Sequence, residues 1–416
     1  MSRRVVVIGG GVIGLAAAAY LLERGHRVLV LERGAKDHDC CSLGNAGYVS
    51  PSHFVPLAAP GVVAAALRWM GDPRSPLYVT PRLDPAWIVW AWRFWRASNR
   101  RRAEEAGPCL RDLLVGSRAL FEDLASATGG DDIQLRRDGL LTLFETEEAL
   151  DLERRHAERA RSFGMPAQVL DAAGIAALEP DVTLRAVGGV LYPLDAHVTP
   201  NRLHEALARL VSARGGELAY GAEVLGWRSE GRLVRAVRTT SGDVEGDEFV
   251  AAAGSWTARL LRPLGVRLSL MPGKGYSLTL PAPRQMPRRS ILLQEARVAV
   301  TPMGDSLRVG GTMEIGAFDA RINPPRIEGI VRSFTRGFPA FHPRDFSGVA
   351  PWSGLRPLSH DGLPHVGRFS RYDNLAVATG HAMLGVSLAP ITGQLIAQLL
   401  SGEPTAIDLS PLRPER

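Results

Sequence analysis

Lysine is nearly absent from this chain. Only Lys36 and Lys274 occur, so the 49 basic residues are almost all arginine; against 43 acidic residues they leave a net charge of +6. Arginine usage of this kind reads as a habit of codon composition. It excludes little by itself, but the clusters Arg100-Arg101-Arg102 and Arg288-Arg289 are short and far apart. Each reads as a solvated face, and no nucleic-acid partner is expected. Cysteine is scarce too. Cys40, Cys41 and Cys109 make neither a disulfide framework nor a metal-ligand spacing. That excludes a stapled secreted mini-domain, and no metal is expected. Neighbouring Cys40 and Cys41 read as reduced, buried thiols rather than flavin or substrate contacts, and a cytoplasmic compartment follows. Internal repeats and low-complexity tails are absent, which excludes a solenoid or a disordered arm.

What is present is an ordinary globular composition, 45% hydrophobic and 22% charged over 416 residues. That length exceeds one core and suggests two intertwined domains. The first segment carries most information. Arg3-Arg4 precedes an uncharged run from Val5 to Leu22 that imitates a signal peptide or membrane span. Its glycines argue otherwise. The β-branched stretch Val5-Val6-Val7-Ile8 ends in Gly9-x-Gly11-x-x-Gly14. An Ala/Leu-rich helix stops at Gly25, and a second apolar run ends in Glu32. Strand, tight turn, helix, strand and acid make the dinucleotide-binding βαβ unit. Gly9 permits the turn, Gly11 lets backbone approach a pyrophosphate, and Gly14 lets helix and strand pack. The helix N-terminus faces the phosphates, and Glu32 is placed for a ribose diol.

Further along, Ser42 to Pro51 is rich in turn formers and reads as a ligand-facing loop. Pro60 to about Thr128 reads as helical and strand-poor. Within it Trp87, Trp90, Trp92, Phe94 and Trp95 cover a wide arc of a helical wheel. A buried helix is the first reading, and a face for lipid or an electron-accepting partner the second. Glu147–Phe163, Leu170–Leu178 and Pro200–Arg214 read as helices. Strands are expected over Gly139–Phe144, Gly216–Trp227, Leu233–Thr240, Phe249–Ala253, Leu375–Thr379 and in several short runs between Met271 and Gly316. A closing helix is expected from about Leu388 to Leu400.

Four motifs together resemble the FAD-dependent D-amino-acid oxidase superfamily, nearest to bacterial D-amino-acid dehydrogenases, including the D-hydroxyproline type. They are the βαβ unit; Ser42-Leu-Gly-Asn45-Ala46-Gly47 with Ser50-Pro51; Lys274-Gly275-Tyr276; and Trp352-x-Gly354-Leu-Arg356-Pro357 with Asp361-Gly362 and Gly380-His381. The resemblance covers essentially the whole chain. It implies an α/β (α+β two-domain) fold: a discontinuous Rossmann-like FAD domain from residues 1–55, 190–260 and 345–416, and a substrate domain on a mixed or antiparallel sheet from residues 56–189 and 261–344. It implies FAD, held without a covalent bond, since no C-terminal cysteine matches a covalent flavin site. The cofactor residues it implies are Gly9, Gly11, Val12, Ile13, Gly14, Glu32, Arg33, Ser42, Asn45, Ala46, Gly47, Val224, Ala253, Gly254, Trp256, Arg356, His381, Gly385, Val386 and Ser387. Arg356 would grip the substrate carboxylate. Tyr276 would bond the same group or cover the pocket, and His53 would make a polar contact near flavin or substrate. The segment Pro51-Ser-His53-Phe54 departs from the tyrosine-bearing version of broad D-alanine-type enzymes and looks more like the cyclic imino-acid branch. The implied reaction is oxidation of a D-amino or D-imino acid such as D-proline or cis-4-hydroxy-D-proline. Electrons would pass to a quinone or an electron-transfer partner, with peripheral contact at the inner membrane face. Two other classes stay open, a glycine- or sarcosine-type oxidase using oxygen and a non-catalytic nucleotide-binding protein.

Overall fold

The computed structural model describes residues 2–80, 84–129 and 132–416. Two sheets organise it. The first has six strands in the order His365–Arg368, Leu375–Thr379, Glu248–Ala251, Arg4–Ile8, Arg27–Glu32 and Glu217–Tyr220. All neighbours are parallel except the outer pair His365–Arg368 and Leu375–Thr379. Val5, Val6 and Val7 of the central strand are fully buried. A strand covered on both faces must be continuously apolar, as this one is. Helix Val12–Glu23 makes the crossover to Arg27–Glu32. The run that imitates a signal sequence is therefore the middle of a sheet and the helix packed on it.

Two glycines fix that crossover. Gly9 has φ +116°, a conformation that L side chains rarely adopt. A Cβ on Gly14 would lie 1.9 Å from the Gly9 carbonyl oxygen, so only glycine lets the helix start this close to the strand. The last helix, Gly385–Ser401, lies against the first. It passes so near that a Cβ on Gly393 would be 2.7 Å from the Ala16 backbone. Ala382–Ser401 is long and apolar enough to cross a membrane, but 67% of its most apolar window is buried in the protein, as in a core helix.

The second sheet has nine strands and is mixed, mostly antiparallel. Trp352–Ser359 forms one edge and pairs with Leu270–Pro281, which pairs with Ser306–Ile315. Segment 345–416, expected with the nucleotide sheet, thus supplies strands to both sheets. The central pairings bury Leu278, Val300, Val309 and Ile291 against Phe334 of helix Pro324–Gly337 and Phe338 just past its end. Each such side chain contributes about 1.5–3 kcal/mol of burial.

Several elements differ from expectation. Leu170 belongs to strand Gln168–Asp171, and the helix begins after it at Ala172, with Asp171 as its N-cap accepting from Gly174 N–H. The Gly216–Trp227 stretch is two strands, Glu217–Tyr220 and the start of Val224–Glu230. The closing helix begins at Gly385, which leaves Pro390 inside its second turn. Trp87 to Trp95 do form a helix, Pro85–Ala97, but not a buried one. Trp90 and Phe94 stack in the core with ring centroids 5.0 Å apart, while Trp92 and Trp95 are 52% and 62% exposed.

Candidate active site

An elongated cavity of about 660 Å³ runs between the two sheets. Its floor is the turn Gly9, Gly11, Val12 and Ile13. The Glu32 carboxylate bounds it beside Arg33 and accepts N–H bonds from Gly10 and Gly34, both at 2.8 Å. Those bonds place its oxygens at the end of the second strand, where a ribose would lie. Val224, Ala253, Gly254 and Trp256 line the same end, with Arg33 stacked 3.9 Å over the Trp256 ring.

The other end is walled by Cys41, Ser42 and Asn45, by the edge strand from Trp352 to Pro357, and by His381, Gly385 and Val386. Ser42 Oγ accepts from Val12 N–H at 3.4 Å, tying loop to turn. Asn45 accepts from Gly47 N–H at 2.8 Å and donates to the Met383 carbonyl at 3.3 Å. Arg308, buried and without a carboxylate partner among the described residues, donates to the Leu43 and Asn45 carbonyls at 2.9 and 3.1 Å. Burial pushes its pKa down to about 10. It holds the loop in place by its backbone.

The helix at Gly385 enters the cavity with no side-chain cap at its N-terminus. Its first amides are free for an anion or a partial negative charge. Ala382, just before it, has φ +50°, a sparsely populated conformation for a residue with a Cβ, and it too lines the cavity. His381 bonds Thr392 Oγ1 at 3.0 Å through Nε2, and its buried Nδ1 has no partner. Burial depresses its pKa to about 3, so the ring is neutral and presents an unused polar atom.

Arg356 stands on the edge strand opposite Gly273. Its guanidinium sits where a Cβ on neighbouring Gly275 would be 2.2 Å from Cζ. It donates one bond, to the Thr312 carbonyl at 3.2 Å, and no carboxylate pairs with it among the described residues. Desolvation lowers its pKa from the usual guanidinium value. A desolvated cation short of an anion is a receptor for one.

Not every expected residue joins this group. Gly14, Ala46, Gly47 and Ser387 lie behind the cavity wall. Ser387 Oγ donates to the Tyr48 carbonyl and accepts from Ser50 N–H, a bracing role. Ala46 offers its carbonyl to Thr301 Oγ1 at 2.7 Å. Tyr276 pairs with Ser353, three residues from Arg356, so the two side chains leave opposite faces of the sheet. Its hydroxyl is committed to Glu314 at 2.8 Å. A shared grip on one carboxylate is not the arrangement found. His53 is off the cavity, bonded to Ser52 Oγ at 3.2 Å, with burial holding its pKa down to about 4.

Sequence reasoning missed other lining groups: His38, Arg259, Phe318 and Thr379. Trp352, quoted for its motif and given no role, lines the cavity as well, and its Nε1 donates to Asp39 at 2.6 Å. Cys41, set aside as a buried thiol, lines the cavity too. Burial pushes its pKa up to about 12, so it stays a thiol.

The residues present fit FAD. A glycine turn, a ribose acceptor and an uncapped helix are spread along one cleft, which ends on a second sheet carrying a free cation. Fold and cleft together define a two-domain, dinucleotide-dependent oxidoreductase. Residues 4–399 match the model of the FAD dependent oxidoreductase family, and the chain belongs to it. Its cofactor is FAD. The chain is similar to a D-amino acid dehydrogenase of Methylobacterium radiotolerans, at 38% identity covering 96% of each chain. It is similar to another of Granulibacter bethesdensis, at 35% identity covering 98% of each. Among solved structures it resembles glycine oxidase from Geobacillus kaustophilus, with a TM-score of 0.80 and 28% identity over 100% of this chain and 99% of that one.

Proposed function

We propose that this enzyme oxidises D-amino or D-imino acids, D-proline or cis-4-hydroxy-D-proline among them. The observation that carries the reading is Arg356, a desolvated guanidinium lining the cleft with no carboxylate partner among the described residues. Every amino acid has a carboxylate, and a planar guanidinium holds that group by two parallel bonds. Arg356 would fix the substrate's orientation while the rest of the cavity sorts side chains. Bound FAD supplies the two-electron acceptor chemistry, held by Glu32, Arg33, the Gly9–Gly11 turn and the Ser42–Asn45 loop. The free amides at Gly385 and Val386 stabilise negative charge that builds at their end of the cleft. Neutral His381 offers a hydrogen-bond partner and no charge. No side chain is assigned as general base, because an amine bound in its neutral form needs none.

The acceptor in this reading is a membrane quinone. Ile88, Val89, Trp92 and Trp95 of one helix and Leu67 of another are all at least half exposed. Arg93 and Arg96 flank them without carboxylate partners among the described residues, and Arg96 lies 4.8 Å over the Trp92 ring. Apolar side chains ringed by unpaired arginines suit an anionic lipid surface. The enzyme then sits at the inner face of the membrane. The likeness to glycine oxidase supports a second reading, an oxidase of small amino acids using oxygen. Anaerobic mixing with D- and L-enantiomers of proline, hydroxyproline and alanine, and with glycine and sarcosine, tests both. Bleaching of the flavin by D-enantiomers, followed by slow reoxidation in air and fast reoxidation by a soluble quinone, is the expected result. Bleaching by glycine alone with rapid peroxide release replaces this reading with the second.

A further inference from the structure

We propose that His38, Cys40 and His204 form a zinc site at the edge of the nucleotide cleft. One nitrogen of each histidine and the Cys40 sulfur all lie within 4.8 Å of one another. Zinc bonds of about 2.0–2.1 Å to nitrogen and 2.3 Å to sulfur need these atoms somewhat closer together. The adjustment is on the order of 1 Å, within reach of side-chain rotation. The ligands come from distant segments. His38 and Cys40 belong to the loop after Glu32, and His204 to helix Pro200–Ala213.

Two further observations point to a cation. Each imidazole already gives one N–H to a backbone carbonyl: His38 Nδ1 to Ala35 and His204 Nε2 to Gly10, both at 2.8 Å. A carbonyl can only accept, so in each neutral ring the other nitrogen carries the lone pair a metal would take. Histidines that bind metals are held in this way. The other nitrogen of His38 is Nε2, which is buried and has no hydrogen-bond partner among the described residues, on a side chain only 8% exposed. The Glu32 carboxylate lies 3.7 Å from it and adds negative charge. Two imidazoles and a thiolate are a donor set for zinc, with the fourth position left to water. On binding, the Cys40 S–H bond breaks, its proton goes to solvent, and the sulfur takes up the metal.

The test uses the FAD-loaded enzyme, cleared of metals by a chelator and titrated anaerobically with Co²⁺. The expected result is one Co²⁺ per chain, with a thiolate-to-cobalt charge-transfer band and d–d absorption to the red of the flavin, and displacement by Zn²⁺. Cys40→Ser abolishes the charge-transfer band. His38→Ala and His204→Ala each weaken binding at least tenfold, and Cys109→Ser changes nothing. Flavin absorbance confirms that each variant remains loaded. A wild-type enzyme that takes up no stoichiometric Co²⁺, or takes it up without a thiolate band, overturns the proposal. So does a Cys40→Ser variant that keeps that band.

Discussion

Removing the Arg356 charge tests the substrate site most directly. In the proposed complex its guanidinium is the only cation assigned to the substrate carboxylate. Arg356→Ala would leave that carboxylate desolvated and unpaired, a loss of about 2–5 kcal/mol. At tenfold per about 1.4 kcal/mol, kcat/KM falls by roughly 30-fold to several thousandfold. Arg356→Lys falls between wild type and alanine, since an ammonium cannot copy the fork. Gly275→Ala offers an independent route to the same effect. Its new methyl would lie 2.2 Å from Cζ, so the guanidinium must move without losing its charge. More than tenfold of kcat/KM should go with it, because bidentate geometry tolerates little displacement. The assay is stopped-flow bleaching of the flavin under anaerobic conditions across D-amino-acid concentrations, with FAD content read from absorbance. If Arg356→Ala retains FAD and bleaches with near-normal catalytic efficiency, the carboxylate is held elsewhere and the assignment is wrong.

Three other outcomes are expected. Glu32→Ala should weaken FAD binding by about 1.5–3 kcal/mol, measured as fluorescence of released flavin on dilution, and denaturing the wild type should free all of the flavin. Asp195 is buried and bonded to Ser52 Oγ at 2.6 Å, and burial raises its pKa from 3.8 to about 7. The folded state therefore binds its proton more tightly than the unfolded chain, so this group lowers stability as pH rises from about 4 to about 7. Asp195→Asn should flatten the fall in Tm between pH 5 and pH 8, and an unchanged slope would place the titration elsewhere. Trp92→Ser with Trp95→Ser should abolish co-sedimentation with anionic vesicles and leave turnover with a soluble quinone intact; undiminished sedimentation would rule out this helix as the membrane contact.

The nucleotide half of the site was legible because its signals are local. Strand, turn, helix and acid fall within residues 4–32, and Gly9 and Gly14 have backbone reasons found inside that segment. Elements whose surroundings are set by remote chain were not. The aromatic helix looked buried because its rings cover a wide arc, but of those rings only Trp90 and Phe94 are buried, Trp87 packs against them, and Trp92 and Trp95 stay exposed. Tyr276 looked like a partner of Arg356 until strand register put them on opposite faces. The start of the last helix was misplaced because Pro390 resembles a first-turn proline. Grouping His38 and Cys40 with His204 requires the crossover that lays helix Pro200–Ala213 beside the first helix, and no spacing in the sequence records it.

The order of strands in the nucleotide sheet also bears on how the enzyme is made. The central strand Arg4–Ile8 is made well before one of its neighbours, Glu248–Ala251, which comes some two hundred and forty residues later. The outer pair and the last helix come from residues 365–401. Pairings this remote in sequence form slowly, because long loops must close before any contact rewards them. The glycine turn thus cannot close a cleft until the segments through Gly385 and Val386 have been made. A truncation before Gly385 should therefore yield a colourless chain even though every residue of the glycine motif is intact.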